Sequence, residues 1–416
     1  MQREGAEMID NMTLPLEGLR VVDFTTVVAA PTAGELLCAF GADVIKVEAI
    51  GGEAHRTTGS FLGTPYKTEC NPHYTLQNSN KKHISIDLKS EEGSRVMMSL
   101  IDKADIFLSN VREPALERLG LDYDTLSAKY PRLIYAHFSG YGPKGPNAGE
   151  PGFDSTVFWL RGGMIADWQT EDARYPFEPT YAFGDTATAS SFFSAVLLAV
   201  IGREKTGKGT KVESSLYSSA IWCNGQGVLQ TQFEKKKLNP EPEKVINPQN
   251  GYYKCSDGKW FSLNERTYYE KDLPAIAKAL GLDDVLSDKR YESRESLEES
   301  GVYVEYRERI TEAFKTKPAA EWKKIFKEYN MPCDVAVRTA DVARDEQALT
   351  NGYLEEVTYP DGTKVMMPVP PMFLSNYARR PIVPTGEPGD ATSEILKTIG
   401  YTEDMIAELR NIKAVK

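Results

Sequence analysis

The feature that most constrains this chain is a regular alternation, through its first half, of short apolar runs and longer helical patterns. "LRVVDF" (19–24) reads as a buried strand. "PTAGELLCAFG" (31–41) reads as a helix, with Pro31 in its first turn and Gly41 at its end. "DVIKVE" (43–48) is the next strand. "HISIDL" (83–88), "SEEGSRVMMSLIDKA" (90–104) and "DIFLSN" (105–110) repeat the scheme, as do "YDTLSAKY" (123–130) and "RLIYAHFSG" (132–140). Strands and helices at this spacing imply βαβ units and a parallel sheet, hence an α/β fold. "DTATASSFFSAVLLAVIGRE" (185–204) continues as a helix, "KTGKGT" as a turn and "KVESSL" (211–216) as a strand. That helix is apolar nearly all round, so it is expected in the core.

The texture changes near residue 225. "QFEKKKLNPEPEKVINPQN" (232–250) is charged and proline-bearing, which suits a linker. "YYKCSDGKWFSL" (252–263) reads as a hairpin turning at Asp257–Gly258. Charged helical segments follow to about residue 330. "VTYPDGTKVMMPV" (357–369) reads as a second hairpin, and two short helices, 393–400 and 402–410, close the chain. The expected partition is 1–225, a smaller α+β domain at 226–334, and a last segment at 335–416.

Composition narrows the function. A chain of 416 residues can bury a large core without disulfides or structural metal. A net charge of −11 with no basic run argues against nucleic acid and anionic membranes. The five cysteines are dispersed and none forms a C-x-x-C pair, so neither a zinc site nor a disulfide framework is expected. No pair of the four histidines has metal-ligand spacing, and His137 reads as an ordinary sheet position. The polar stretch 1–12 is no signal peptide. The longest apolar run, 192–201, is too short for a bilayer. A cytoplasmic protein is expected.

Several motifs fail in informative ways. "GREKTGKG" (202–209) nearly spells a phosphate loop, but it ends a helix and begins a strand, the reverse of what a phosphate cradle needs. It reads as a helix C-cap and turn on Gly207 and Gly209. The loop after the first strand, "TTVVAAP", offers β-branched side chains where a dinucleotide would need bare glycine backbone. No G-x-S-x-G elbow appears.

One carboxylate stands out. Asp185 is the lone acid at the head of a long run of small and apolar residues. As a helix N-cap it would stabilise the helix by about 1 kcal/mol. As a nucleophile it would use the preceding Gly184, which admits a ligand, and the N–H groups and dipole of the helix end, which keep it ionised at neutral pH. Residues alone leave both readings open.

A collinear set of blocks decides further. "LPLEGLRVVDF", "GADVIKVE", "NKKHISIDLKSEEG", "DIFLSNVREPALERLGLDY", "GYGPKGP", "GFD", "REKTGKGTKVESSL" and "GEPGDATSEILKTIGYTEDMI" together resemble the class III CoA-transferase family, of formyl-CoA and carnitine CoA-transferase type. "PGFDSTVFWLRGG" and "GYTEDMIAEL" look closest to members acting on 2-hydroxy acids in fermentation, such as 2-hydroxyisocaproate or phenyllactate. The resemblance implies a Rossmann-like large domain completed by the C-terminal segment, an inserted small domain, and two subunits interlocked as a homodimer. It implies acyl-CoA and a small carboxylic acid as substrates, with no permanently bound cofactor and no metal.

It also places residues. Asp185, in "YAFGDTATA", aligns with the nucleophilic aspartate, which passes through an aspartyl anhydride and an aspartyl-CoA thioester. Val28 and Ala29 match positions at the thioester end; a glutamine found elsewhere in the family is absent at Val28. Ile86 to Lys89 and Asn110 to Arg112 match stretches along the nucleotide, and Arg118 an arginine near the phosphates. Ser139, Gly140 and Tyr141 match a loop touching CoA. A basic position at the adenine end is Ala49 here. Trp159 and Trp168 are candidate walls of an acyl pocket. The alternatives are a 2-methylacyl-CoA racemase of the same fold and a non-catalytic CoA-binding protein. Racemisation needs two acid/base groups, and Phe153 stands where such racemases carry a histidine. An ATP-dependent ligase is disfavoured by the missing phosphate loop.

Overall fold

A computed structural model describes residues 13–169, 173–177, 179–233 and 247–416. The stretch 1–12, most of the expected linker and part of the loop after Trp168 lie outside the described residues. Six strands form one parallel sheet: β1 (Arg20–Phe24), β2 (Asp43–Glu48), β3 (Lys82–Ser85), β4 (Ile106–Ser109), β5 (Ile134–Ser139) and β6 (Lys211–Ser215). Their order across the sheet is β3-β2-β1-β4-β5-β6. β1 is the centre, with Val21 level with Val44 of β2 and with Ile106 of β4.

The apolar runs follow from this placement, because a strand covered on both faces has no polar side to show. Neighbours on β1 feed opposite cores. Val21 packs with α1 (Ala29–Ala39), and Val22 packs with α2 (Glu91–Asp102). A further helix, α3 (Glu113–Leu119), follows β4. The first core also takes Phe192, Phe193 and Val196 from α4 (Phe183–Thr206), the helix expected at 185–204. α4 runs 24 residues, so by length and composition it could cross a membrane, unlike the shorter run 192–201 considered alone. Here its inner face packs in the core and its buried Arg203 pairs with Asp105 at 2.9 Å. Gly207 closes it with φ +71°, as the turn reading requires.

The chain divides into two units. Among the described residues, the first holds 13–169, most of 174–233, and 346–416; the second holds 173 and 247–345. The helix Gly225–Gln230 belongs to the first unit, continuing from Leu216–Cys223 across Asn224. In the second unit β7 (Gly251–Lys254) and β8 (Trp260–Leu263) form the expected hairpin. β9 (Cys333–Val335) adds antiparallel to β8, so the small sheet straddles the expected 334/335 boundary. The C-terminal part of the first unit carries the other hairpin, β10 (Leu354–Thr358) with β11 (Lys364–Pro368). It also returns Arg380 to helix α1, where the guanidinium donates to the carbonyls of Cys38, Gly41 and Ala42.

Candidate active site

In an open parallel sheet, ligands bind beyond the carboxyl ends of the strands where the strand order reverses. That place here lies between β1 and β4. A cavity of about 500 Å³ opens there, lined by the loops after β1, β4 and β5 and by Asp185.

Asp185 is not the N-cap of its helix. The cap is Ala182, held at φ +59°, and Asp185 is the third residue of α4. A side chain 31 positions away does the capping. Asp154 begins a stretch of π-helix, Asp154–Arg161, and its Oδ1 accepts the backbone N–H of Asp185 at 2.8 Å. Gly184 makes this possible. A Cβ there would sit 2.6 Å from Asp154 Oδ1 and 2.3 Å from Phe158 Cγ. The glycine admits a carboxylate and a ring of this chain, rather than the ligand backbone expected from sequence.

The electrostatics also differ from expectation. Asp185 is 9% exposed. Burial, and then the neighbouring Asp154, push its carboxyl up to about 7. The helix N-terminus cannot offset this, because Asp154 already occupies it. Burial raises Asp154 as well, and the N–H groups of Asp185 and Gly184 partly restrain it. Both carboxyls are therefore harder to ionise than an ordinary aspartate. The carboxylate form of Asp185, once made, is poorly solvated and more basic than an ordinary aspartate, which suits a nucleophile.

The candidate positions divide into two sets. Val28, Ala29, Asn110, Arg112, Ser139, Gly140 and Tyr141 all line the cavity with Asp185. Val28 and Ala29 stand at the head of α1, where no side chain caps the first turn; the N–H groups of a first turn have no intrahelical acceptor. Asn110 spends its amide on the protein: Oδ1 accepts from Thr26 N at 2.9 Å and Nδ2 donates to Thr26 O at 2.8 Å. Arg112 is exposed at the start of α3. Ile86, Lys89 and Arg118 lie outside this lining. Ile86 is buried and bridges to Val415; Lys89 is exposed, its N–H on Asp87 Oδ1; Arg118 is exposed in the last turn of α3.

Sequence reasoning missed three features. Asp154 stood in plain sight in "PGFD", but its partner is remote in sequence. His137 lines the cavity, with Nε2 donating to Val111 O at 2.9 Å. Val27, also in the lining, has φ +70°, a conformation a β-branched residue adopts only under constraint, at a cost of about 1–3 kcal/mol. Trp159 is buried and packs edge-on to Trp168 and Phe177 and tilted against Phe183; neither tryptophan lines the cavity. Phe153 does line it, and is largely exposed. Among the described residues no cluster of His, Cys, Asp or Glu has the makings of a metal site.

Comparison with known proteins points the same way. The model of CoA-transferase family III matches residues 16–388. The chain is 34% identical to (R)-2-hydroxy-4-methylpentanoate CoA-transferase of Clostridioides difficile, over 96% of this chain and 99% of that protein. It is 34% identical to cinnamoyl-CoA:phenyllactate CoA-transferase of Clostridium sporogenes, over 98% of each. A crystal structure of Rv3272 from Mycobacterium tuberculosis superposes with a TM-score of 0.78 at 27% identity, covering 92% of this chain and 99% of that one.

Proposed function

The chain belongs to CoA-transferase family III, and from that premise we propose that Asp185 is the nucleophile that carries CoA from an acyl-CoA donor to a carboxylic acid acceptor. The carboxylate of Asp185 attacks the donor thioester carbonyl. The C–S bond breaks, leaving a mixed anhydride and CoA thiolate. The thiolate attacks the aspartyl carbonyl, giving an aspartyl-CoA thioester and releasing the donor acid. The acceptor carboxylate attacks that thioester, its C–S bond breaks, and a second anhydride forms with release of CoA thiolate. The thiolate then attacks the acceptor acyl carbon, delivering the new acyl-CoA and freeing Asp185. One thioester is exchanged for another, so no energy source is consumed.

The observation that carries this reading is a buried carboxylate, raised towards neutrality, on the wall of a cavity at the switch point of the sheet. The N–H groups of Val28 and Ala29 are suited to receive the oxyanions. Arg112 is suited to a phosphate of the nucleotide. A cleft that shelters the anhydride from water prevents hydrolysis. Phe153 offers no proton-transferring group, which argues against racemisation. A 2-hydroxy acid acceptor is the reading the two clostridial relatives support. Phe153 and Tyr141, which line the cavity with Asp185, suit a branched or aryl acyl chain. A homodimer fits too, since Leu198, Ile201 and Trp222 stand exposed on the single chain.

The test is adduct formation. Cinnamoyl-CoA and other acyl-CoA donors are incubated with the enzyme, and intact mass is followed with and without hydroxylamine. Phenyllactate and 2-hydroxy-4-methylpentanoate serve as acceptors. The reading requires an enzyme–CoA adduct in the wild type and none in Asp185→Ala. Equal behaviour of the two proteins overturns it.

A further inference from the structure

The loop between β1 and α1 is fastened peptide by peptide. Lys46 Nζ, from β2, donates to Thr25 O at 2.7 Å. Asn110, after β4, brackets Thr26 with its two amide bonds. The carboxylate of Glu53 receives the N–H of Val27 at 2.8 Å. Three side chains from three other segments thus hold three consecutive residues. The next two, Val28 and Ala29, begin the helix and face the cavity.

Val27 is the strained member. A valine held at φ +70° would relax if nothing restrained it, because its branched Cβ crowds the backbone there. Glu53 is built to restrain it. Glu53 Oε1 lies 3.0 Å from Lys46 Nζ, and the two side chains are 4% and 0% exposed. The backbone of Glu53 is fixed in turn, its N–H on Glu48 Oε1 at 3.1 Å. Glu48 is clamped by Arg56 through two bonds of 2.8 and 2.7 Å. A buried chain of charges therefore ends on a single peptide N–H, one residue before the head of the helix.

We propose that Glu53 is a positioning residue for the transfer reaction, holding Val27 in its left-handed conformation so that the N–H groups of Val28 and Ala29 are aimed at the carbonyl under attack. Strain held by a neighbouring network at a reacting centre is a device for pre-organisation. Glu53 touches no substrate. Its effect passes through the Val27 peptide, and this inference rests on the transferase reading above.

The experiment measures the first-order rate of enzyme–CoA adduct formation at saturating donor, together with the donor KM. The proteins are the full-length wild type, Glu53→Ala, Glu53→Gln, and each Glu53 variant combined with Val27→Gly. Glu53→Ala is expected to slow adduct formation by about 30-fold while the donor KM moves by less than about threefold. Glu53→Gln, which keeps one acceptor oxygen, is expected to lose about tenfold or less. Glycine occupies φ +70° without crowding, so adding Val27→Gly should return about fivefold of the lost rate. A residue needed only for folding would not be rescued by relieving strain at another site. If Glu53→Ala does not accumulate folded, the Gln pair carries the same comparison. A folded Glu53 variant with the wild-type rate, or a loss that Val27→Gly leaves untouched, overturns the proposal. Absence of any adduct in the wild type instead overturns the transferase reading beneath it.

Discussion

Asp23 and Asp185 are both buried aspartates of the same unit, and they are treated in opposite ways. Asp23, on β1, is fully buried. Lys81 lies 2.8 Å from one of its oxygens, Lys46 lies 3.9 Å from the other, and Thr25 donates a hydroxyl. Burial pushes its carboxyl up, yet the two lysines outweigh this and hold it below the usual range. Asp185 is slightly less buried, but its charged neighbour is another carboxylate, and no cation pairs with it among the described residues. Its proton affinity rises to about 7. Burial is common to both, so the counter-charge decides. The fold neutralises the acid that braces the sheet and leaves uncompensated the one that faces the cavity.

Substitutions can break or sharpen that contrast. The largest effect is expected for Asp185→Asn, which keeps the shape and removes the proposed nucleophile; kcat should fall about 10⁴-fold or more. A kcat within tenfold of wild type would mean the two aspartates do not differ in role. Asp23→Asn should act on stability instead. It leaves Lys81 without its carboxylate in the interior, while Lys46 keeps Glu53, at a cost of about 3–5 kcal/mol in urea unfolding. A loss below about 1 kcal/mol would show that Lys81 finds another partner.

The third expectation concerns pH. The folded protein raises Asp185 from 3.8 to about 7, so the native state holds its proton more tightly than the unfolded chain. The cost of ionising it is absent below pH 4, grows as pH rises, and is complete above pH 7. Asp185→Asn should therefore stabilise the protein by up to about 4 kcal/mol at pH 8, and by about 1–2 kcal/mol at pH 5. Equal effects at both pH values would contradict the shift. The smallest effect is expected for Asp154→Asn. It removes the second contribution to that shift and keeps an oxygen for the Asp185 N–H. The midpoint of the pH–rate profile for adduct formation should move down by about half to one unit. No movement would assign the whole shift to burial.

The sheet was the legible part of this molecule, because a doubly covered strand writes a continuous apolar run. β2 sits at 43–48 as read, and β1 begins one residue inside its expected start. The cavity lining was legible where candidates follow strand ends: Val28 and Ala29 after β1, Asn110 and Arg112 after β4, Ser139 to Tyr141 at the end of β5. What escaped was every relation between distant residues. Local rules assign the cap of α4 to Asp185, and only the fold brings Asp154 to that end. The same rules predict an ionised acid at a helix start, whereas a second carboxylate already held the N–H groups. Eight residues of π-helix at 154–161 have no 3.6-residue period to betray them. Nothing near Val27 in sequence announces that Glu53 will seize its N–H.

The return of Arg380 to helix α1 bears on how the chain is made. The carboxyl end of a helix laid down within the first forty residues keeps several carbonyls waiting for a guanidinium that emerges from the ribosome more than three hundred residues later. The inserted unit lies wholly within that interval, so it is synthesised before Arg380 can reach α1. A nascent chain stalled before residue 380 would therefore leave those carbonyls without their guanidinium, at the far end of the helix whose head lines the cavity beside Asp185.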